Sequence, residues 1–280
     1  MKKRLMAAVL STAMAATMLL TGSISVQAAD AAAANDPAVE LIFTSVSVSG
    51  DSHTEAMYEF ADKVEELSGG SVTCKCYDNG SLFSSENEFD ALLNGDADLA
   101  YISFPTIATQ IPSYSMFASG YLFSSYEHMT SVLNGDIGLN KIRPQIEETL
   151  NIKPLSSFYL GSRVINTREK EINSYDDMNG LLLRMPNSEA WLFLGEALGA
   201  NPTPLSFSEL YTALQTGAVD AQDNPLPSIE SAKFYEVTKY IAITNHVVDS
   251  IMPCINGDTW NSMTEAQQEL LLRLWNMQET

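Results

Sequence analysis

Short apolar runs and helically spaced apolar stripes alternate along this chain, each bounded by capping or turn residues. Residues 39–46 read as a strand. Asp51 or Ser52 then caps a helix with Ala56, Phe60, Val64 and Leu67 on one face, and Ser68-Gly69-Gly70 stops it. A second strand at 72–77 ends in the turn chemistry of Asp78-Asn79-Gly80. A second helix opens at Ser84 or Ser85 and carries Phe89, Leu92 and Leu93, and a third strand covers 97–103. This alternation predicts an α/β fold, with helices packed on a parallel sheet.

Pro105, Pro112 and Gly120 interrupt the next stretch, after which helices are expected near 125–133 and 139–150. Residues 152–166 are extended and pass through Gly161. A strand of that length suits a crossing between two lobes, so a boundary is placed near Gly161. One lobe is expected from 39–160 together with 250–280, the other from 161–249. In the second lobe, 174–179 is a helical turn and 181–185 a strand apolar enough for burial on both faces. Asn187-Ser188 caps a helix with Trp191, Leu194 and Leu198. Ser206 and Glu209 have the spacing of a capping box ahead of a helix bearing Phe207, Leu210, Tyr211 and Leu214. Residues 218–222 form a short strand, Asn224-Pro225 is expected to open another helix, and 240–255 is the return crossing. A last helix is capped at Thr264.

With 280 residues, 45% of them hydrophobic, the chain can build a sizeable core. Residues 1–29 are set apart as an export signal. Lys2, Lys3 and Arg4 precede an apolar stretch at 5–20, and Val26-Gln27-Ala28 supplies the small residues of a cleavage site. Thr12, Thr17 and Thr21 break that stretch, and no later segment reaches the length of a bilayer span. Ser23 stands where a lipid-bearing cysteine would follow Leu20-Thr21-Gly22, so an untethered, exported protein is expected, with no insertion into the membrane. Residues 30–38 read as a disordered leader. With 15 basic and 35 acidic residues, a net charge of −20 argues against nucleic-acid partners and anionic membrane surfaces. Cys74 and Cys76 share one strand face, which disfavours a bond between them. Cys254 is open to burial as a small apolar residue or to a bond with either.

No nucleophile elbow, zinc-protease helix, phosphate loop or dinucleotide fingerprint occurs, and His53, His128 and His246 have no partners at metal-ligand spacing. No catalysis, metal or cofactor is therefore expected. Gly95-Asp96-Ala97-Asp98 lacks the further ligands of a calcium loop. The sharper signal is Arg184, closing the apolar run of its strand, where α/β sheets present side chains to a crevice. Its planar fork matches a carboxylate, but it equally suits one of the chain's own acids. Asn224 is open to two readings as well, a polar contact in the crevice or a helix N-cap. Phe207 also fits the apolar stripe of its helix.

The run Arg184-Met185-Pro186 and the block NPTPLSFSELYTALQTGAVDAQDNPL at 201–226 resemble the solute-binding proteins of TRAP transporters, of the dicarboxylate-binding type. SAKFYEV at 231–237, TNHV at 244–247 and LLNGDADLA at 92–100 extend the resemblance over nearly all of 39–275. It implies a two-lobed, periplasmic-binding-protein-like fold with hinge strands and a ligand cleft. It further implies a monomer in the periplasm that hands a small organic acid to TRAP membrane subunits. Arg184 would form the salt bridge to the ligand carboxylate, with Asn224 and Arg163 assisting and Phe207 packing on the ligand. Ser47 and Ser103 would line the pocket from the first lobe. Leu182-Leu183 and Ala221-Gln222-Asp223 depart mildly from the family pattern, and the family usually continues past the Thr264 helix with a further helical segment. A sensor signalling to a membrane receptor would use the same fold, and an exported hydrolase is a more distant alternative.

Overall fold

The computed structural model describes residues 33–277; the export signal and residues 30–32 lie outside the described residues. Among the described residues nine strands form one mixed sheet: β1 (Val39–Thr44), β2 (Val72–Tyr77), β3 (Leu99–Ile102), β4 (Ile152–Pro154), β5 (Phe158–Thr167), β6 (Leu182–Met185), β7 (Asn201–Pro204), β8 (Ala221–Pro225) and β9 (Tyr240–Asn256). Their order is β2-β1-β3-β9-β5-β8-β6-β7, with β4 also on β9. The expected parallel pairing holds at both ends of this sheet, in β2-β1-β3 and in β8-β6-β7. The middle is antiparallel, because β9 runs against both β3 and β5.

Helices cover the sheet. In the first lobe α1 (Ser52–Leu67) starts where Asp51 accepts the His53 amide at 3.0 Å, and buries Met57, Phe60 and Val64. The second helix, α2 (Glu88–Asn94), starts later than expected, because the Ser84 carbonyl accepts the Asn87 and Glu88 amides in a turn before it. A short helix, α3 (Phe104–Ile107), and α4 (Tyr126–Leu133) follow. The helix expected over 139–150 is divided into a π-turn at Gly138–Ile142 and α5 (Arg143–Leu150). Pro144 has no N–H to continue the regular ladder across that junction. In the second lobe α6 (Glu189–Ala197) is capped by Ser188, and α7 (Phe207–Thr216) follows Ser206. There the capping-box spacing yields a different contact: the Ser206 hydroxyl donates to Glu209 Oε2 at 2.8 Å, and no side chain caps the helix.

One expectation is overturned in a way that matters for function. Asn224 does not open a helix; it lies inside β8, and α8 (Leu226–Ser231) begins after it. The pairing of β5 with β8 continues from Thr167↔Ala221 to Arg163↔Pro225. Proline also biases the residue before it toward extended backbone, so Asn224 stays in the strand.

Apolar side chains collect in separate clusters on the two sides. Leu41, Phe43, Phe60 and Trp275 form one in the first lobe, and Ile102, Phe104, Met129 and Met252 another. Ile165, Leu183, Met185 and Val247 form a third, and Val164, Leu210, Leu214 and Phe234 a fourth, in the second lobe. The long strand β9 supplies Met252 to one lobe and Val247 to the other, so it passes through both. Beside it β5 slips register between Tyr159 and Gly161. Gly161 has φ +135°, and a Cβ there would stand 2.4 Å from Pro225 Cβ, which explains glycine at this irregularity.

The end of the described chain closes over the first lobe. After α9 (Gly257–Ser262), α10 (Glu265–Met277) sets Trp275 on Phe60, ring centroids 4.5 Å apart. The leader is drawn in here, against expectation. Ala33 is fully buried in the first cluster, Asp36 accepts the Thr264 hydroxyl, and Pro37 accepts from Gln267 at 2.9 Å. Cys74, Cys76 and Cys254 are all free thiols; the two strand neighbours bring their sulfurs to 4.0 Å, and Cys254 is buried.

Candidate functional site

A cavity of about 390 Å³ lies between the lobes, and all six residues singled out from the sequence line it: Ser47, Ser103, Arg163, Arg184, Phe207 and Asn224. Topology accounts for the meeting. Arg184 is near the end of β6, Asn224 near the end of the adjacent β8, and Arg163 on β5, which pairs with β8 from its other side. Phe207 stands at the start of α7. From the first lobe, Ser47 follows β1 and Ser103 follows β3.

The two arginines are in different electrostatic states. Arg163, which the resemblance makes an assistant to the ligand carboxylate, is engaged by the protein itself. Its Nε and Nη2 fork onto Asp223, each at 2.9 Å, and its Nη1 reaches Asp249 at 2.8 Å. Nη2 also donates to the Asp223 carbonyl and to Asn224 Oδ1, while the guanidinium lies 4.5 Å from the centre of the Trp191 ring. Burial disfavours its charge, but Asp223 and Asp249 outweigh that and raise its pKa. Burial likewise opposes the Asp223 charge, and attraction to Arg163 with hydrogen bonds from His246 and Arg163 holds that carboxyl far below the usual range. Because a carboxylate only accepts, His246 donates through Nε2 at 3.1 Å, and its Nδ1 shares a hydrogen bond with the Thr244 hydroxyl at 2.7 Å. Burial leaves Asp249 raised despite Arg163.

Arg184 is the opposite case. It is 2% exposed, and its Nε donates to the Leu205 carbonyl at 2.8 Å. Its two terminal amines have no hydrogen bond, and no carboxylate lies within salt-bridge distance, among the described residues. Burial brings its pKa down to about 10, with attraction to Asp223 and Glu86 opposing and Arg163 repelling. It therefore remains charged near neutral pH. The Phe207 ring centre lies 6.0 Å from its guanidinium carbon. Of the two readings left open for Arg184, pairing with an internal acid is excluded among the described residues. A buried cation whose terminal amines are open in a cavity lining can take two parallel hydrogen bonds to a carboxylate.

Asn224 is aimed by an amide relay. Arg163 donates to Asn224 Oδ1 at 3.3 Å, Asn224 Nδ2 to Gln222 Oε1 at 2.6 Å, and Gln222 Nε2 to Asn166 Oδ1 at 3.1 Å. Asn166 Nδ2 ends the relay on the Tyr240 carbonyl at 2.9 Å. The first member can only donate and the last can only accept, so every amide between them has one permitted orientation. Asn224 thus keeps one Nδ2 hydrogen outside the relay.

Gln222, Asp223, Asp249, His246 and Asn166 were missed as site residues. Strand alternation sets Gln222 and Asn224 on one face, a signal hidden when the strand is ended at 222. The long-range partners have no local signal.

Fold and cavity together give a two-lobed protein whose inter-lobe cleft is lined by Arg163 and Arg184. The profile of "bacterial extracellular solute-binding protein, family 7" matches residues 43–278, and the chain belongs to that family. Its relatives include the sialic acid-binding periplasmic protein SiaP of Vibrio cholerae serotype O1, 34% identical over 211 residues, which are 75% of this chain and 65% of that protein. The crystal structure of a TRAP periplasmic solute-binding protein of Roseobacter denitrificans with bound 3-deoxy-D-manno-oct-2-ulosonic acid is 38% identical, with a TM-score of 0.80 over 85% of this chain and 78% of that one. The sugar acid-binding protein DctPAm of Advenella mimigardefordensis, in complex with galactonate, is 29% identical, with a TM-score of 0.82 over 88% of this chain and 78% of that one. The chain spans just under two thirds of the length of the curated relatives it matches first. No helix among the described residues is long and apolar enough to cross a membrane.

Proposed function

We propose that this chain is the extracytoplasmic binding component of a TRAP-type uptake system, capturing a small organic acid and passing it to membrane subunits. The observation that carries this reading is the empty, buried fork of Arg184 in the cleft. The ligand carboxylate takes both terminal amines of Arg184 and one hydrogen of Asn224, and Phe207 packs against the carbon skeleton. Arg163, held by Asp223 and Asp249, chiefly braces that wall, and Ser47 and Ser103 meet the ligand from the first lobe. Closure brings the lobe of 161–249 onto the lobe of 39–160 with 250–280, bending β5 and β9 near Gly161, since only the shut form lets the ligand touch both walls. The protein works as a monomer in the periplasm after loss of its export signal. Family and relatives are binding proteins, and the cleft is read here as a site of capture without turnover.

A thermal-shift panel of organic acids tests this directly. An acid present at a hundred times its Kd stabilises by about 2.7 kcal/mol, well within detection. At least one acid should raise the melting temperature of the wild type and leave Arg184→Ala unmoved. Equal shifts in both proteins would remove the basis of the assignment.

A further inference from the structure

Cys74 and Cys76 lie outside the lining of the cleft, on β2 at the edge of the sheet. In register with Leu41 and Phe43 of β1, they point to the same face as those two core side chains. Cys76 Sγ is 3.7 Å from the Met57 carbonyl oxygen of α1, so the pair sits in the seam between β2 and α1. Both cysteines are half-buried there, whereas Cys254 is fully buried elsewhere in the sheet.

Two features of this seam point to a cation. The first is spacing: the sulfurs are 4.0 Å apart. A disulfide needs them at about 2.05 Å, and the β1–β2 ladder resists that approach by fixing the backbone at both positions. Zinc–thiolate bonds of about 2.3 Å instead span the gap, with an angle of about 120° at the metal. The second is charge. Asp98 acts on Cys74, and Asp62 and Asp78 act on Cys76. These acids oppose a bare thiolate and favour one paired with a cation. The hydrogen bond between the sulfurs raises the Cys74 pKa, with burial adding to it, and lowers that of Cys76 against burial. Cys76 is therefore the first thiolate offered to an ion.

We propose that Cys74 and Cys76 form a two-thiolate site for a soft, zinc-like metal ion on the flank of the first lobe. The ion replaces the two thiol protons, which pass to solvent, and no electron is transferred. Among the described residues no group of three or more His, Cys, Asp or Glu is placed to hold a metal. Solvent or an external ligand therefore completes the coordination shell. Thiolates select soft ions over magnesium, which demands oxygen ligands.

The test uses the whole chain, reduced and kept under nitrogen, titrated with Cd(II) while thiolate-to-metal charge-transfer absorption is followed. The wild-type band should saturate at one ion per chain and be unmoved by excess Mg(II). Cys74→Ser and Cys76→Ser should each lose most of the band and bind Cd(II) at least roughly tenfold more weakly. That is the least expected, because losing only a ligand's hydrogen-bond partner already costs about 10- to 100-fold. Cys254→Ala should keep both band and affinity. Melting curves without metal establish that each variant is folded, and Cys74→Ala or Cys76→Ala replaces a serine variant that does not melt cooperatively. A wild type without the band, a full band in either single variant, displacement by Mg(II), or loss of the band in a folded Cys254→Ala would each overturn the site.

Discussion

Asn224 donates to the Oε1 of Gln222 at 2.6 Å, and this one contact decides which way the Asn224 amide faces the cleft. Gln222 is itself fixed by Asn166, and Asn166 by the Tyr240 carbonyl, so the orientation is written into the sheet beneath the site. Asn224 keeps one donor hydrogen outside this relay and lines the same cavity as Arg184.

Asn224→Asp should therefore harm binding more than Asn224→Ala. The aspartate removes the donor and sets a second anion beside the ligand carboxylate, a loss of roughly 2–4 kcal/mol, or about 30- to 1,000-fold in Kd. Calorimetry on both variants checks the order. An Asp variant that binds as well as the Ala variant would show that Asn224 does not face the carboxylate.

Asp223→Asn should damage the fold before it damages the chemistry. It breaks a buried ion pair and leaves Arg163 with Asp249 as its remaining carboxylate, a cost of roughly 3–5 kcal/mol by the behaviour of such pairs. In the wild type the folded carboxyl titrates below its unfolded range, so the stabilisation is full above about pH 4 and fades as pH falls through the folded value. Denaturant titration of the variant at neutral pH gives the number. A loss under about 1 kcal/mol would mean that the pair is energetically idle.

Glu88 predicts a pH dependence of the opposite sign. Burial pushes its carboxyl up to about 8, with partial relief from Thr44, and its Oε1 has no hydrogen-bond partner among the described residues. The folded chain then holds a proton that the unfolded chain releases, so stability declines as pH rises from the ordinary carboxylate range toward about 8. Glu88→Gln should flatten that decline and gain roughly 1–3 kcal/mol at pH 8, with little change at pH 5. Urea midpoints of both proteins at the two pH values test this, and parallel profiles would refute it.

Gly161→Ala addresses the crossing strands. The added methyl would press on Pro225 at a backbone angle that favours glycine, so a destabilisation of about 1–3 kcal/mol is expected, with slower ligand association. Stopped-flow binding and thermal melting that match the wild type would show that the irregularity is not needed.

Much of this was legible in the chain. Asp51, Ser125 and Ser188 cap helices by short-range bonding, and the two β-α-β patterns give the parallel ends of the sheet because such units are local. Arg184 was readable as an arginine closing an apolar strand. Its freedom from an internal carboxylate was not, since that depends on which of many acids folding brings near. The reverse holds for Arg163, whose partners Asp223 and Asp249 are 60 and 86 residues away in sequence. Asn224 was misassigned because the cap reading weighed asparagine's side chain above the extended bias that Pro225 imposes on its backbone. The leader at 33–38 was misread for want of any local pattern; its order comes from Thr264 and Gln267, more than two hundred residues on.

The most direct test of the clamp is a calorimetric titration of wild type, Arg184→Lys and Arg184→Ala, at neutral pH, with an organic acid that stabilises the wild type in the thermal-shift panel. Saturable binding by the wild type, weakening of tenfold or more in the lysine variant and at least a hundredfold loss in the alanine variant are predicted, because lysine keeps the charge but not the fork. Wild-type affinity retained by Arg184→Ala would contradict the assignment of Arg184 as the residue that holds the ligand.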